Sequence, residues 1–233
     1  MAFAEQRLPL GTVHAVLAAK GGLDSQQAFA VSNADDVYSQ AAMTTLARQL
    51  DSGLGEHTLV AYALGSTIAT DDPVTRGICQ VDDRGYLVAL TERRLVTRKQ
   101  QGASFSSEDG LEPVSLSPAS PTSVNLWGFQ PAIWDVLETA MKASGLDEDA
   151  MLAAAAAGAE VGKAEVLLPD VVARMVTDGA GLQVRVVTTE AKMVGVTHAA
   201  DLPVVSAALA RQVAWGIRPS RPWTDLVGHG AAR

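Results

Sequence analysis

The sequence predicts an α/β protein with three layers: a mixed, mostly parallel sheet with helices on both faces. Helix-like and strand-like segments alternate early in the chain, a run of strands follows, and the alternation then resumes. This order is typical of a parallel sheet with an inserted antiparallel portion. The chain has 233 residues, of which 48% are hydrophobic, enough for one large core. We therefore expect a single domain over residues 1–233.

The helical segments follow from apolar residues that recur with a period of 3.6. They are 12–20, 40–50, 131–142, 147–157, 169–177 and 202–215. Pro131 and Pro169 both stand in the first turn of a segment, where a missing N–H does no harm. These prolines therefore mark helix starts.

The strand segments follow from alternation and from β-branched residues. They are 29–33, 58–64, 76–82, 86–92, 94–99, 122–129, 182–188 and 193–196. Asp83-Arg84-Gly85 separates two of them and predicts a hairpin turn. The proline- and serine-rich stretch 113–123 is either a loop or a domain linker, and the regular segments close on both sides favour a loop within one domain.

Composition limits the partners that we expect. A formal net charge of −8 repels a phosphate backbone, so we expect no nucleic-acid partner. The single cysteine, Cys79, stands in an apolar strand-like segment and is expected in the core. One cysteine allows no internal disulfide, which suits a reducing cytoplasm. With no signal-peptide pattern and no uninterrupted apolar run of about 18 residues, we expect a cytoplasmic protein without a membrane partner.

The chemistry that the sequence offers is carboxylate chemistry. The four histidines lack zinc-like spacing, and neither a serine-hydrolase elbow nor either common glycine-rich nucleotide loop occurs. Asp35 and Asp36 follow an apolar strand-like segment, and Glu92 ends another. Oxygen ligands without a nearby histidine suit Mg²⁺. The alternative for the aspartates is a turn in which Ser39 or Asp36 caps the helix that begins near Gln40.

Short stretches that occur in order over residues 9–205 carry a resemblance to a known family. They are PLGTVHA (9–15), VSNADD (31–36), SVNLWGF (123–129), KAEVLLP (163–169) and, near the end, GVTH (195–198) with DLP (201–203). Together they resemble the consecutive motifs of the bacterial sugar-1-phosphate nucleotidyltransferase-like family. Members share a three-layer α/β nucleotide-diphospho-sugar transferase fold and join a nucleoside triphosphate to a sugar phosphate, releasing pyrophosphate.

The resemblance implies a role for several residues. Gly11 and Thr12 would approach the nucleotide, and Asp35 would be catalytic through a bound Mg²⁺. Asp36 would be its polar neighbour at the substrate, and Glu92 and Asn125 would lie near the sugar. The expected small-molecule partners are therefore a nucleoside triphosphate and a sugar phosphate.

Simpler interpretations of some of these residues remain open. Glu92 stands beside Arg93 and Arg94 and equally fits a solvated strand end. Trp127 shares a strand face with Asn125 and is typical of a core residue. Lys192 is a candidate for a phosphate contact, and a solvated lysine before a strand is the alternative.

The sequence also departs from the family pattern. The glycine-rich loop whose arginine and lysine cradle the triphosphate has no counterpart before the GTVHA stretch. Gly195 stands where many members have a second metal-binding aspartate, and Arg93 stands where they have a lysine followed by a proline. We therefore expect an N-terminally incomplete domain without measurable transfer activity. We also expect an exposed apolar sheet edge that promotes self-association.

Two other functions compete with the nucleotidyltransferase interpretation. One is a non-catalytic homologue that binds a sugar nucleotide or a partner protein. The other is a metal-dependent glycosyltransferase of related fold, in which the aspartate pair holds the metal of the donor. The GTVHA stretch ahead of VSNADD argues against a glycosyltransferase, because this pairing belongs to the nucleotidyltransferase pattern.

Overall fold

The computed structural model describes residues 4–68, 72–99, 104–158, 164–179, 182–191, 194–195 and 202–220. The helices are α1 (Thr12–Ala19), α2 (Gln40–Leu50), α3 (Ile133–Ser144), α4 (Glu148–Ala156), α5 (Leu168–Thr177) and α6 (Leu202–Ala214). The strands of the first half are β1 (Phe29–Val31), β2 (Asp36–Val37), β3 (His57–Ala63), β4 (Val74–Val81) and β5 (Leu87–Arg98). The remaining strands are β6 (Phe105–Ser107), β7 (Ser115–Leu116), β8 (Pro121–Ser123), β9 (Trp127–Phe129), β10 (Val184–Thr189) and β11 (Val194–Gly195).

Local sequence signals set the helix ends. The Ser39 hydroxyl accepts a hydrogen bond of 3.0 Å from the backbone N–H of Ala42 and so caps α2. The Asp147 carboxylate caps α4 in the same way, with 2.8 Å to the N–H of Ala150. Helix α3 ends at Gly145, whose φ of 70° is a left-handed conformation that glycine adopts without strain. The cap interpretation of the acidic turn is therefore confirmed for Ser39, while Asp36 belongs to β2.

Nine strands of the described chain form one sheet, in the order β1-β9-β3-β8-β4-β5-β6-β7, with β10 on the other edge of β3. Strands β8 and β9 pair with the two halves of β3, and the chain bends between them. Strand β9 also pairs with β1, whereas β8 pairs with β4. Strands β2 and β11 form a separate two-stranded ribbon.

The predicted mostly parallel sheet is wrong. Among the described pairings of this sheet, only that of β10 with β3 is parallel, and all the others are antiparallel. Strands β1 and β3 do run in the same direction, as the helix between them requires, but β9 lies between them and opposes both. Residues 29–31 consequently form a terminal strand of this sheet, antiparallel to β9. The alternation of helices and strands determined strand direction but not which strands are neighbours.

The apolar core has a part on each face of the sheet. On one face, α1, α3 and α5 pack against Leu59, Ala61 and Trp127, among others. On the other face, α2 packs against Val60 and Tyr62, which alternate with the first set along β3. Cys79 is buried in the first part, where burial raises the pKa of its thiol to about 12. The prediction that Cys79 is a core residue is confirmed.

The strands β5 to β8, from the described residues between 83 and 123, belong to the same sheet. Strands β4 and β5 form an antiparallel hairpin around Gly85, as predicted. Strands β7 and β8, which lie within 113–123, pair with sheet neighbours, so this stretch is not a linker between two sheets. The buried guanidinium of Arg93 donates hydrogen bonds of 2.7 and 3.0 Å to Asp109. Arg93 is therefore held in a structural ion pair and is not available to a ligand.

Candidate functional site

The sheet forks where β8 and β9 part. Asn125 lies in the bend, with a left-handed φ of 57°, and the neighbouring strands on the outer side are β1 beside β9 and β4 beside β8. Asparagine is one of the few residues other than glycine that adopt this conformation readily. The bend interrupts the predicted strand 122–129 and places a polar side chain at the opening of the fork.

A cavity of about 360 Å³, here called the β1 cavity, lies between α1 and β1. Its walls are mostly apolar and come from α1, β1 and the first residue of α5, Leu168. Four polar residues complete the lining: Thr12, Ser32, Asn33 and Asn125. Two residues that the resemblance implies for nucleotide and sugar, Thr12 and Asn125, thus line the same cavity.

The start of α1 is fixed by contacts with the segment before α5. The Thr12 hydroxyl accepts a hydrogen bond of 2.7 Å from the N–H of Leu168, and the N–H of Val13 donates to the carbonyl of Val166 at 3.1 Å. Gly11 has a φ of 96°, and a Cβ there would lie 2.4 Å from the Val166 carbonyl oxygen. The close approach that Gly11 permits is therefore to the Val166 backbone, and Gly11 is not among the residues that line the β1 cavity.

The acidic turn after β1 is ordered by a small hydrogen-bond network. The Asn33 side chain donates from Nδ2 to Asp36 at 2.8 Å, and the backbone N–H of Asn33 donates to the Tyr38 hydroxyl at 3.2 Å. The Tyr38 hydroxyl donates in turn to the carbonyl of Val124, next to the fork, at 2.6 Å. Asp35 is exposed and has no hydrogen-bond partner among the described residues. The two aspartates therefore differ: Asp36 holds the turn together, and Asp35 is available to a ligand.

Opposing effects act on the pKa of the Asp36 carboxyl. Burial raises the pKa of the Asp36 carboxyl, the hydrogen bond from Asn33 opposes this, and the neighbouring charge of Asp35 adds to the increase. The guanidinium of Arg76 on β4 acts in the opposite direction and favours the charged form. Arg76 is itself held by Thr67, to whose carbonyl it donates at 2.7 Å. Arg76 thus contributes a fixed positive charge close to the turn.

Glu92 lies further along the sheet. Gly77 on β4 pairs with Ser123 on one side and Glu92 on the other, so the three residues form a row across β8, β4 and β5. Adjacent strands lie about 4.8 Å apart, so the Cα of Glu92 is on the order of 10 Å from that of Ser123. Glu92 is exposed, and its carboxylate accepts a hydrogen bond of 3.4 Å from Arg94. The row extends from the fork at Asn125 along one face of the sheet.

The remaining expectations concern the metal and the phosphate contact. Within the described ranges, no group of three or more histidine, cysteine, aspartate or glutamate side chains is arranged to hold a metal ion. Asp35 fits a Mg²⁺ ion that takes its other ligands from substrate phosphates and water, which is a common arrangement for this ion. Lys192 lies outside the described residues.

Sequence reasoning missed three contributors to this site. Asn33 lines the cavity and bonds to Asp36, whereas an asparagine after an apolar segment indicates only the end of a strand. Tyr38 and Arg76 carried no sequence signal beyond being polar residues next to apolar segments. Their roles depend on β4 and on the bend at Val124, which are distant in sequence from the turn.

Comparisons with known proteins do not identify a family: the chain matches no protein-family model and no curated protein sequence. No helix in the described part of the chain has both the length and the apolar character needed to cross a membrane.

Proposed function

We propose that this chain is a nucleotidyltransferase-like protein that binds a nucleotide in the β1 cavity and a sugar phosphate along the row that runs from Ser123, beside the fork, to Glu92. In complete form, such a protein would transfer a nucleotidyl group from a nucleoside triphosphate to a sugar 1-phosphate. The proposal rests on the site and not on the fold, because the described pairings are mainly antiparallel, whereas a mostly parallel sheet is expected with it. We also place the protein in the cytoplasm, where its lone buried cysteine would stay reduced.

One observation supports this proposal above the others. Thr12, Asn33 and Asn125 come from three segments separated by up to about a hundred residues, yet they line one cavity. Asp35 follows Asn33 by two residues, so a carboxylate without a described partner lies close in sequence to the cavity lining. A mostly apolar cavity with a few fixed polar groups is typical of a small-molecule site, and 360 Å³ lies within the usual range of about 300–1,000 Å³.

A Mg²⁺ ion held by Asp35 would neutralise charge on the phosphates as pyrophosphate leaves. The chain's own residues would position the ligands. The network of Asn33, Asp36 and Tyr38 fixes the turn that carries Asp35. Arg76 adds a positive charge near the same turn, which favours the approach of an anionic ligand. Glu92 would accept hydrogen bonds from sugar hydroxyls.

A second candidate function, non-catalytic binding of a nucleotide sugar, is favoured by the composition of the cavity. None of the twelve residues that line the β1 cavity is a lysine or an arginine. The cavity therefore suits the uncharged base and ribose better than a triphosphate, and positioning of the phosphates supplies most of the rate in transfer chemistry. The two candidates differ in one measurable respect, since only the enzyme releases pyrophosphate from a nucleoside triphosphate and a sugar 1-phosphate.

The substitution Asp35→Asn tests the proposal. We expect it to abolish Mg²⁺-dependent binding of a nucleoside triphosphate, measured by isothermal titration calorimetry with and without Mg²⁺. The free energy of unfolding should change by less than about 1 kcal/mol, because the Asp35 carboxylate is exposed.

Asp83→Asn is the matched control, because Asp83 is an exposed aspartate in the β4–β5 turn, where asparagine also fits. It removes the same charge and should leave binding unchanged. If Asp35→Asn unfolds the protein but leaves the affinity of the folded fraction intact, the carboxylate has a structural role and the proposal fails.

A further inference from the structure

We propose that the β1 cavity selects a pyrimidine base over guanine, and that Asn125 determines this selectivity. The inference rests on the proposed function, because it names the base of the nucleotide proposed for the same cavity. It follows from which hydrogen-bonding atoms of the lining are already engaged by protein partners.

Asn33 lines the cavity and has an acceptor left over. Its Nδ2 donates to Asp36 at 2.8 Å, which fixes the orientation of the amide. Its Oδ1 has no partner among the described residues. A base that contacts Asn33 therefore gains a hydrogen bond when it presents a donor.

Asn125 lines the same cavity and has a donor left over. Its Oδ1 accepts a hydrogen bond from the indole Nε1 of Trp127 at 3.3 Å, and Trp127 is fully buried, so this orientation of the amide is favoured. The Nδ2 group has no partner within the described part of the chain. A base that contacts Asn125 gains a hydrogen bond when it presents an acceptor.

The Thr12 hydroxyl also favours a ligand atom that accepts a hydrogen bond. Its oxygen already accepts a hydrogen bond of 2.7 Å from Leu168, which strengthens the hydroxyl as a donor. A ligand donor at this position would leave the hydroxyl proton unpaired among the described residues, and an unpaired buried donor is costly. Ser32 is exposed and can donate or accept, so it does not discriminate.

The side chains of Asn33, Asn125 and Thr12 therefore contribute two donors and one acceptor. The pairing edges of uracil and cytosine each carry two acceptors and one donor, in different orders, so both complement these three side chains in number. Guanine carries one acceptor and two donors, so one of its donors would meet a donor of the protein. Adenine carries one of each and leaves a protein donor unpaired. The apolar walls, which include Val16 and Phe29, suit the faces of a planar base.

The experiment measures binding of uridine, cytidine, guanosine and adenosine to the full chain by ligand-observed NMR, and of the four triphosphates with Mg²⁺ by calorimetry. Uncharged nucleosides need no metal, so their affinities report on the cavity alone. In the wild type we expect uridine and cytidine to bind about tenfold more tightly than guanosine.

The substitution Asn125→Asp should reverse this order. One carboxylate oxygen keeps the bond from Trp127 and the other replaces a donor by an acceptor, so the lining then matches guanine. Aspartate also tolerates the positive φ at this position. We expect guanosine to gain, and uridine and cytidine to lose, about tenfold in affinity. Gln183→Glu, at an exposed side chain outside the cavity lining, adds the same charge and should leave the base preference unchanged.

The outcomes separate this inference from the proposed function. If no nucleoside and no triphosphate binds the wild type, the proposed function fails, and the inference fails with it. If nucleotides bind but guanosine or GTP binds as tightly as the pyrimidines, the inference is overturned and the proposed function stands. Should Asn125→Asp fail to fold by circular dichroism, the wild-type preference decides alone.

Discussion

Burial controls the protonation of His57 at the start of β3. Its side chain is 1% exposed, its Nδ1 accepts a hydrogen bond of 3.1 Å from the N–H of Gln130, and its ring packs against Phe129. Burial lowers the pKa of His57 from 6.5 to about 4. The residue is therefore a neutral core histidine near neutral pH.

We expect this histidine to make folding sensitive to mild acid. The unfolded chain binds a proton at His57 below pH 6.5 and the folded chain does so only near pH 4, so stability is complete above pH 6.5 and falls between these values. The loss should be on the order of 2–3 kcal/mol. Urea unfolding at pH 7, 5.5 and 4.5 measures it.

His57→Gln provides the reference for this pH series. Glutamine can keep an acceptor for the Gln130 N–H and cannot titrate, and the carboxylates titrate in both proteins. The difference between wild type and variant should therefore shrink as the pH falls from 6.5 towards 4. A difference that does not change with pH would show that His57 titrates alike in the folded and unfolded chains.

At the scale of elements, the capping residues decide where helices begin. Helix α2 starts directly after the acidic turn, so its cap also sets the end of the turn that carries Asp35 and Asp36. The cap is the Ser39 hydroxyl, and the buried side of the helix is formed by Ala42 and Leu46. The Ser39 cap thus fixes the helix side of the turn, which the hydrogen bonds of Asn33 and Tyr38 also hold.

Ser39→Ala should lower the free energy of unfolding by about 1 kcal/mol, because the N–H of Ala42 loses its acceptor. Chemical denaturation measures the change. Ser39→Thr keeps a capping hydroxyl and should retain most of the stability. Equal losses in both variants would mean that packing around residue 39, and not the cap, stabilises this end of α2.

At the scale of the whole molecule, β1 is a terminal strand whose described partner is β9 alone. The β1 cavity lies along this strand, and its walls are mostly apolar. Terminal strands with unpaired backbone groups promote association with a second chain unless charge or coverage prevents it. This arrangement supports the expected self-association.

We expect the protein to form dimers at high concentration, seen by sedimentation velocity over a concentration series. Ala30→Lys places a charge in the centre of β1, where Ala30 is exposed, and should shift the equilibrium to monomer. Ala47→Lys, on the exposed side of α2, adds the same charge elsewhere and should leave association unchanged. A wild-type protein that stays monomeric at high concentration would contradict the prediction.

Local sequence patterns predict many of the individual helices and strands, but they do not predict which strands lie next to each other in the sheet. Helix α2 has the bounds 40–50 that the sequence predicts, and the β4–β5 turn lies where Asp83-Arg84-Gly85 places it. The predicted strands 86–92 and 94–99 are one strand, β5, which continues through Leu95 although its φ is 53°. Period and capping are properties of neighbouring residues, so they can be read from the chain directly.

Only those parts of the candidate site that depend on neighbouring residues can be predicted from the sequence. The Asp35–Asp36 turn was visible because two carboxylates end an apolar run, and Thr12 was visible as a helix start. That Gly11 faces Val166, or that Asn33 and Asn125 line one cavity, depends on contacts over about a hundred residues or more. Such contacts leave no local signal.

The sequence by itself determined the helices to within a few residues, the β4–β5 hairpin, the burial of Cys79 and the common direction of β1 and β3. Only the tertiary structure decided that β9 lies between β1 and β3, which makes the sheet mainly antiparallel and opens the fork at Asn125. The physical reason is that strand direction is set by short connections, whereas strand order is set by which apolar faces and backbone edges fit best across the whole chain.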